Sequence, residues 1–160
     1  MKEMRWMMLI ASLSLLCGCA STPSKEVTSF TFQNSQSEEK DMEIAFKIDE
    51  TAVEVIWENN PSTVALKELS KDGLSVSMRM YGGFEQVGSL GATLPSNDRQ
   101  LTTQPGDIVL YESSQIVIFY GSNSWSYTKL GHVNLSKDEL TALLGDHPVT
   151  IHIGYDTEML

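Results

Sequence analysis

The chain has 160 residues, 41% of them hydrophobic, and a formal net charge of −10 with only two cysteines. So acidic a chain is repelled by nucleic acid and by anionic lipid headgroups, which excludes both as expected partners of the protein surface. The length suits one domain with one core.

The first 18 residues have the pattern of a bacterial export signal. Lys2 and Arg5 form a positive region, and residues 7–16 are apolar except for two serines. This run is too short to span a bilayer and has the length of a signal-peptide core. Leu16-Cys17-Gly18-Cys19 resembles the bacterial lipobox, which implies cleavage after Gly18 and lipid on Cys19. The alternative is an ordinary signal peptide with two incidental cysteines.

A lipid on Cys19 implies that the mature protein is anchored to a membrane in the cell envelope, on the extracytoplasmic side. Residues 19–41 are rich in Ser, Thr, Glu and Gln, which predicts a flexible tether. Cys17 would leave with the signal peptide, so no free thiol would remain. The folded domain is predicted to span residues 42–160.

Eight segments have the two-residue apolar alternation or the short apolar run that is typical of strands. They are residues 42–48, 53–57, 74–80, 84–90, 107–111, 115–120, 129–135 and 149–153. The first and second, third and fourth, and fifth and sixth are predicted to pair as hairpins. Residues 91–105 are predicted to form a long polar loop, a kind of loop that is often functional.

Two helices are predicted, one after the second strand and one before the last. Asn60 caps the first helix, Pro61 fits its first turn, and Gly73 suits the left-handed position at its end. Ser136 and Glu139 have the spacing of a capping box, which begins the second helix.

These elements predict a mainly β, largely antiparallel domain. Val76, Ile108, Val117 and Ile151 are predicted to share one core. Periodicity alone leaves a barrel and a sandwich equally open.

No metal, phosphate or hydrolase site is predicted, and hence no cofactor. His132, His147 and His152 lack the spacing of metal ligands. His132 and His152 alternate with apolar residues, which predicts that both point outward. The glycines of residues 82–91 do not form a phosphate loop, and the serines of residues 122–126 lie on no nucleophile-elbow turn.

Four segments together resemble the cyclophilin-like superfamily. They are residues 81–85 (YGGFE), 105–111 (PGDIVLY), 116–121 (IVIFYG) and 125–131 (WSYTKLG). Trp57 and Asn60 fit the same pattern, and the resemblance covers residues 42–154. It implies a closed eight-stranded β-barrel that is capped by the two helices.

The resemblance implies a peptidyl-prolyl isomerase, and the sequence leaves a binding module and a purely structural domain of an envelope assembly open as well. In the isomerases a strand arginine donates hydrogen bonds near the prolyl amide, and a glutamine lines the proline pocket. Arg79 and Gln115 resemble these residues and are the candidate catalytic pair. Ile116 and Val117 replace the aromatic residues that follow this glutamine. The departure favours a module that binds a peptide or a small ligand, with a weak isomerase of exported proteins as the alternative.

A concentration of aromatic side chains is predicted near one mouth of the barrel, where it would suit a peptide or a ring-containing ligand. The candidate ligand-binding residues are Tyr81, Glu85, Tyr111, Tyr120, Trp125 and Tyr127. Glu85 is expected to pair with Arg79 or Lys129 and to orient the site. The alternatives are a solvated carboxylate at position 85 and a tyrosine-rich core that only holds the barrel together.

Overall fold

The computed structural model describes residues 44–145 and 147–155, which form a mainly β domain. The predicted signal peptide, the tether and Cys19 lie outside the described residues. The two helices are α1 (Pro61–Leu69) and α2 (Lys137–Leu144). The eleven strands of this part of the chain are β1 (Ala45–Ile48), β2 (Thr51–Ala52), β3 (Val55–Trp57), β4 (Leu74–Ser77), β5 (Arg79–Tyr81), β6 (Glu85–Ser89), β7 (Arg99–Thr102), β8 (Asp107–Tyr111), β9 (Gln115–Phe119), β10 (Ser124–Val133) and β11 (Thr150–Gly154).

A four-stranded antiparallel sheet joins the first and last strands of the domain. Its order is β2-β1-β11-β4, with Phe46 opposite Ile153 and Val76 opposite Ile151. The predicted hairpin between residues 42–48 and 53–57 is wrong. β1 pairs with the two-residue β2, whereas β3 pairs with β10 in the other sheet.

The second sheet has the order β3-β10-β8-β9-β6-β5, and β7 pairs with the first half of β10. The predicted hairpins β5–β6 and β8–β9 are confirmed. Gly82 and Gly83 form the first turn with φ angles of 62° and 73°, which glycine adopts without steric cost. Glu112 and Ser113 take φ angles of 48° and 58° in the second turn, so two non-glycine residues carry this strained conformation.

Neither sheet closes on itself within the described residues, so the predicted closed eight-stranded barrel is wrong in both closure and strand number. The two sheets are separate between β4 and β5, at Met78, and between β2 and β3. The predicted strand 74–80 divides at Met78, because β4 pairs with β11 and β5 pairs with β6. The Met78 amide donates to the carbonyl of Val149 (2.8 Å) between the two strands. β2 and β7 were not predicted, and β7 lies inside the predicted loop 91–105.

Both helices begin where their caps were predicted. The Asn60 side chain accepts from the Thr63 amide (3.0 Å) and donates to the Lys129 carbonyl (2.8 Å), so the cap also ties α1 to β10. Ser136 and Glu139 form the predicted capping box of α2. Among the helices of the described residues, none combines the length and hydrophobicity that a membrane span requires.

The inner faces of both sheets share the main core. Its fully buried residues include Ile48 and Ile151 from the first sheet and Ile108, Ile116 and Ile118 from the second. Leu66 of α1 and Leu140 and Leu144 of α2 cover it.

A smaller apolar cluster lies on the outer face of the second sheet, with Val109, Val117, Phe119 and Tyr127 at its centre. The prediction that Val117 shares the core of Val76, Ile108 and Ile151 is therefore wrong for Val117. Successive side chains of a strand point to opposite faces, and Ile116 and Ile118 occupy the inner one.

Candidate functional site

The outer face of the second sheet carries a cleft of about 570 Å³. Seven residues that the sequence analysis selected line it: Arg79, Tyr81, Glu85, Tyr111, Gln115, Trp125 and Tyr127. The lining is completed by Met80, Val87, Val117 and Asn123. The volume lies within the range of roughly 300–1,000 Å³ that is usual for small-ligand sites.

Strand register explains why these side chains meet. Tyr81 lies opposite Glu85 across the β5–β6 pair, and Tyr111 lies opposite Gln115 across the β8–β9 pair. Residues two positions apart on a strand share a face, so Arg79 lies on the same face as Tyr81. The alternation that fills the core with one set of residues therefore places the other set in the cleft.

Tyr120 lies apart from the other candidates. It continues the inward alternation of Ile116 and Ile118, belongs to the main core and is buried. The expected position at a barrel mouth is wrong as well, because the cleft lies on the face of an open sheet.

Two of the lining residues, Tyr111 and Tyr127, belong to a row of contacting aromatic rings. The ring of Tyr127 packs edge-on against Tyr111 (centroids 5.9 Å apart) and against Phe119 (5.7 Å). Phe119 in turn stacks on Phe84 at 6.4 Å. The Asn123 side-chain amide donates to the Tyr127 hydroxyl at 3.0 Å, which fixes the tilt of that ring. Rings held from two sides are a pre-ordered surface for a ligand.

Glu85 is the buried ionisable group of the cleft, with 6% of the residue exposed. Its Oε2 atom has no hydrogen-bond partner within the described residues. Burial disfavours the charged form and raises the pKa of Glu85 to about 7. No ion pair joins it to Arg79 or Lys129 in this part of the chain. The Lys129 ammonium instead binds Asp107, at 3.1 Å, so the expected pairing with Lys129 is wrong.

Three tyrosines that interact electrostatically with Glu85 have a raised pKa. Burial raises the pKa of Tyr120 and of Tyr127, and the nearby Glu85 carboxylate adds to both shifts. For Tyr111 the main cause of a raised pKa is a hydrogen bond to Glu112, with a smaller contribution from Glu85. These phenols therefore stay protonated at neutral pH.

The histidines lie away from the cleft lining and have structural partners. His132 Nδ1 lies 3.0 Å from Asp107 Oδ1, and His152 Nδ1 lies 2.9 Å from Ser75 Oγ. Both rings are half-buried, so the prediction that they point outward holds only in part. Among the described residues, no group of three or more His, Cys, Asp or Glu side chains could hold a metal ion.

Sequence reasoning missed the apolar and amide groups of the lining. Val87 and Val117 occupy the same face as Glu85 and Gln115, so strict alternation along β6 and β9 would have found them. Asn123 lies in the turn before β10, and no pattern in the sequence marks it. Its contact with Tyr127 depends on how this turn folds over the sheet.

A search of curated proteins found no significant match. The sequence profile of the cyclophilin-like family matches residues 46–153, which is most of the described domain. This match agrees with the mainly β architecture and its two helices. The chain therefore belongs to the cyclophilin-like family.

Proposed function

We propose that the domain is a binding module whose outer-face cleft holds a peptide segment or a small ligand. The observation that carries this proposal is the cleft itself, in which the buried Glu85 Oε2 atom has no hydrogen-bond partner in the described part of the chain and lies among aromatic side chains. Sites for small ligands have this composition, a mostly apolar lining with a few converging polar groups.

Exposure of the cleft rim supports the proposal. Tyr81 and Trp125 line the cleft and are 67% and 57% exposed. Large aromatic side chains bury much apolar area when a partner covers them, and their polar atoms can still form hydrogen bonds. Most of the surface of these two side chains is therefore not buried in the fold, and a ligand that covers it would gain binding free energy.

A thermal-shift screen of peptides and metabolites tests the proposal, since a ligand that binds only the folded state raises the melting temperature. We expect Trp125→Ala to weaken a ligand found in this way by roughly tenfold. Ile56→Ala is the matched control, because Ile56 is 60% exposed and lies outside the lining of the cleft. A screen without a ligand, or a ligand that Trp125→Ala does not affect, contradicts the proposal.

A weak peptidyl-prolyl isomerase is the second candidate, and one observation favours it. Arg79 and Gln115, the residues that resemble the catalytic pair, line the same cleft. A guanidinium that donates to the prolyl amide would lower the rotational barrier of ~18–20 kcal/mol. The test is a proline-isomerisation assay of the wild type and Arg79→Ala. A wild-type rate at background, or an equal rate in the variant, removes this candidate.

We further propose that the module is anchored by lipid on Cys19 to an extracytoplasmic membrane surface of the cell envelope. The lipobox-like sequence Leu16-Cys17-Gly18-Cys19 supports this location. Expressed in a bacterium, the wild type should fractionate with membranes, and Cys19→Ser should leave the membrane fraction. Cys17→Ser is the control and should stay with the membranes. Equal fractionation of all three chains contradicts the anchor.

A further inference from the structure

The Glu85 carboxylate has an oxygen atom, Oε2, without a hydrogen-bond partner among the described residues. This atom is buried, and no donor from residues 44–145 or 147–155 reaches it, although Arg79 lies on the neighbouring strand. Residues diagonal to one another across an antiparallel pair lie roughly 7–8 Å apart, and the Arg79 side chain is exposed instead of folding over Glu85. A buried acceptor without a donor destabilises the folded state, because its lost hydration is not replaced by a hydrogen bond. A ligand that supplies a donor removes this penalty.

We propose that the cleft selects ligands that carry a protonated amine and that Glu85 is the residue that binds this group. The inference rests on the proposed function, since it names the class of ligand that the binding module takes. A primary ammonium has three N–H donors and no acceptor, so it complements a carboxylate that has only acceptor positions. A charge-assisted bond of this kind is about twice as strong as a neutral one.

The aromatic lining favours the same class of ligand. Tyr81, Tyr111, Trp125 and Tyr127 contribute rings to the wall around Glu85. Ring faces carry partial negative charge and attract a cation that lies within about 6 Å of the centroid. The chain as a whole has a net charge of −10, which raises the local concentration of cations around it.

The opposite choice, an anionic ligand held by Arg79, fits the lining less well. A carboxylate in the cleft would approach the buried Glu85 charge, whereas an ammonium is attracted to it. Arg79 is exposed at the edge of the cleft, so water already solvates its charge. We therefore assign the ligand-selecting role to Glu85.

Three capped amino acids that differ in the charge of the side chain form the probe set. They are Nα-acetyl-lysine amide, which carries the amine, Nα-acetyl-norleucine amide, which lacks it, and Nα-acetyl-glutamate amide, which is anionic. Affinities are measured by NMR titration of the 160-residue chain. We expect the lysine probe to bind the wild type about tenfold more tightly than the norleucine probe, with shifts in the amides of β5, β6 and β9.

Glu85→Gln is the diagnostic variant, because it keeps the size of the side chain and removes the charge. The preference for the lysine probe should fall to about twofold or less. Glu50→Gln is the matched control, since Glu50 is exposed in the turn between β1 and β2 and should keep the full preference.

A pH series on the wild type tests the inference without a variant. The titratable and charged groups that line the cleft with Glu85 are Arg79 and Tyr81 of β5, Tyr111 of β8 and Tyr127 of β10. Tyr120 after β9 lies in the main core and interacts with Glu85 electrostatically. Between about pH 8 and pH 5.5, Glu85 takes up a proton, so affinity for the lysine probe should fall roughly tenfold. Affinity for the norleucine probe should stay constant.

Equal binding of the lysine and norleucine probes, or tighter binding of the glutamate probe, overturns the inference and leaves the cleft as a binding site of another class. Absence of binding by the lysine probe overturns it as well, and the broader screen then decides whether the cleft binds anything. A lysine preference that survives in Glu85→Gln would place the amine elsewhere and also overturn the assignment.

Discussion

Glu85 is almost completely buried, and no group of the described domain donates a hydrogen bond to its Oε2 atom. Buried carboxylates are usually paired with a cation or hydrogen-bonded, because loss of hydration otherwise penalises the charge. Here the penalty appears as a raised pKa of about 7. Residues that depart from the rules of stable packing concentrate at functional sites, which supports a binding role for this cleft.

Replacement of Glu85 by Gln should change stability in a pH-dependent way. The folded pKa lies above the ordinary value of 4.5, so the unfolded chain loses this proton first as pH rises. The stabilising contribution is complete below about pH 4.5 and is lost as pH rises through about 7. At about pH 8.5, Glu85→Gln should therefore be more stable than the wild type by on the order of 2 kcal/mol, and at about pH 4 the two should be equal.

Urea denaturation at the two pH values measures this difference. Glu50→Gln, which removes an exposed carboxylate, should show no comparable change between them. If the wild type were as stable as Glu85→Gln at both pH values, Glu85 would have an ordinary pKa in the folded state.

At the residue scale, sequence reasoning found the members of the cleft by their chemistry and not by their geometry. Arg79, Gln115 and Glu85 were selected from a family resemblance and from their neighbours, and register then placed them on one face. Tyr120 was selected for the same aromatic character but points into the core. Counting alternation from Ile116 separates it from the others, so this error was avoidable.

The element that most determines the architecture is the segment from Leu74 to Tyr81. Its alternating apolar and polar residues predict one strand. The structure instead has two strands, one in each sheet, with the break at Met78. Each half has its own hydrogen-bond partners, β11 for the first and β6 for the second. The pattern of apolar residues records which face is buried but not which strand lies alongside, so the break could not be predicted from periodicity.

Gly88 of β6 lies in close contact with β4, and the absence of a side chain at this position allows the two strands to approach each other. A Cβ atom added there would lie 2.6 Å from Val76 Cγ1 and 2.9 Å from the Ser77 carbonyl oxygen, both of β4. Gly88→Ala should therefore destabilise the domain by about 1–3 kcal/mol, since a well-packed core resists added volume. Thermal or urea denaturation measures the loss.

Ser77→Ala provides the control for this prediction, because Ser77 belongs to the same contact but its side chain is exposed. It should change stability by no more than about 0.5 kcal/mol. A Gly88→Ala chain as stable as the wild type would show that β4 and β6 can separate without loss.

The helices were predictable because their signals are local. Asn60 and Pro61 begin α1, and Ser136 with Glu139 begins α2, all within one turn of chain. The tie from the Asn60 side chain to the Lys129 carbonyl spans 69 positions and no local rule predicts it.

At the scale of the whole molecule, stability depends on pairing between the two ends of the domain. β11 lies between β1 and β4, and Val149, Ile151 and Ile153 enter the main core. A chain that ends at Gly145 would leave one edge of β1 and one edge of β4 unpaired. We expect this truncated chain to lack a cooperative unfolding transition in circular dichroism.

A chain that ends at Tyr155 keeps β11 and serves as the control, with an expected cooperative transition. If the chain that ends at Gly145 melted cooperatively within a few degrees of the control, the pairing of β11 would contribute little to the fold.

The sequence by itself determined the local features of this protein: the positions of the helix caps, the hairpins of adjacent strands, the mainly β class and the family. These depend on side chains close together in the chain, whose spacing is visible in one dimension. Only the tertiary structure decided which distant strands pair, that no sheet closes within the described residues, and that the cleft lies on an open sheet face with Glu85 buried in it. Hydrogen-bond pairing between strands is almost independent of side-chain identity, so the alternation that marks a strand does not name its partner.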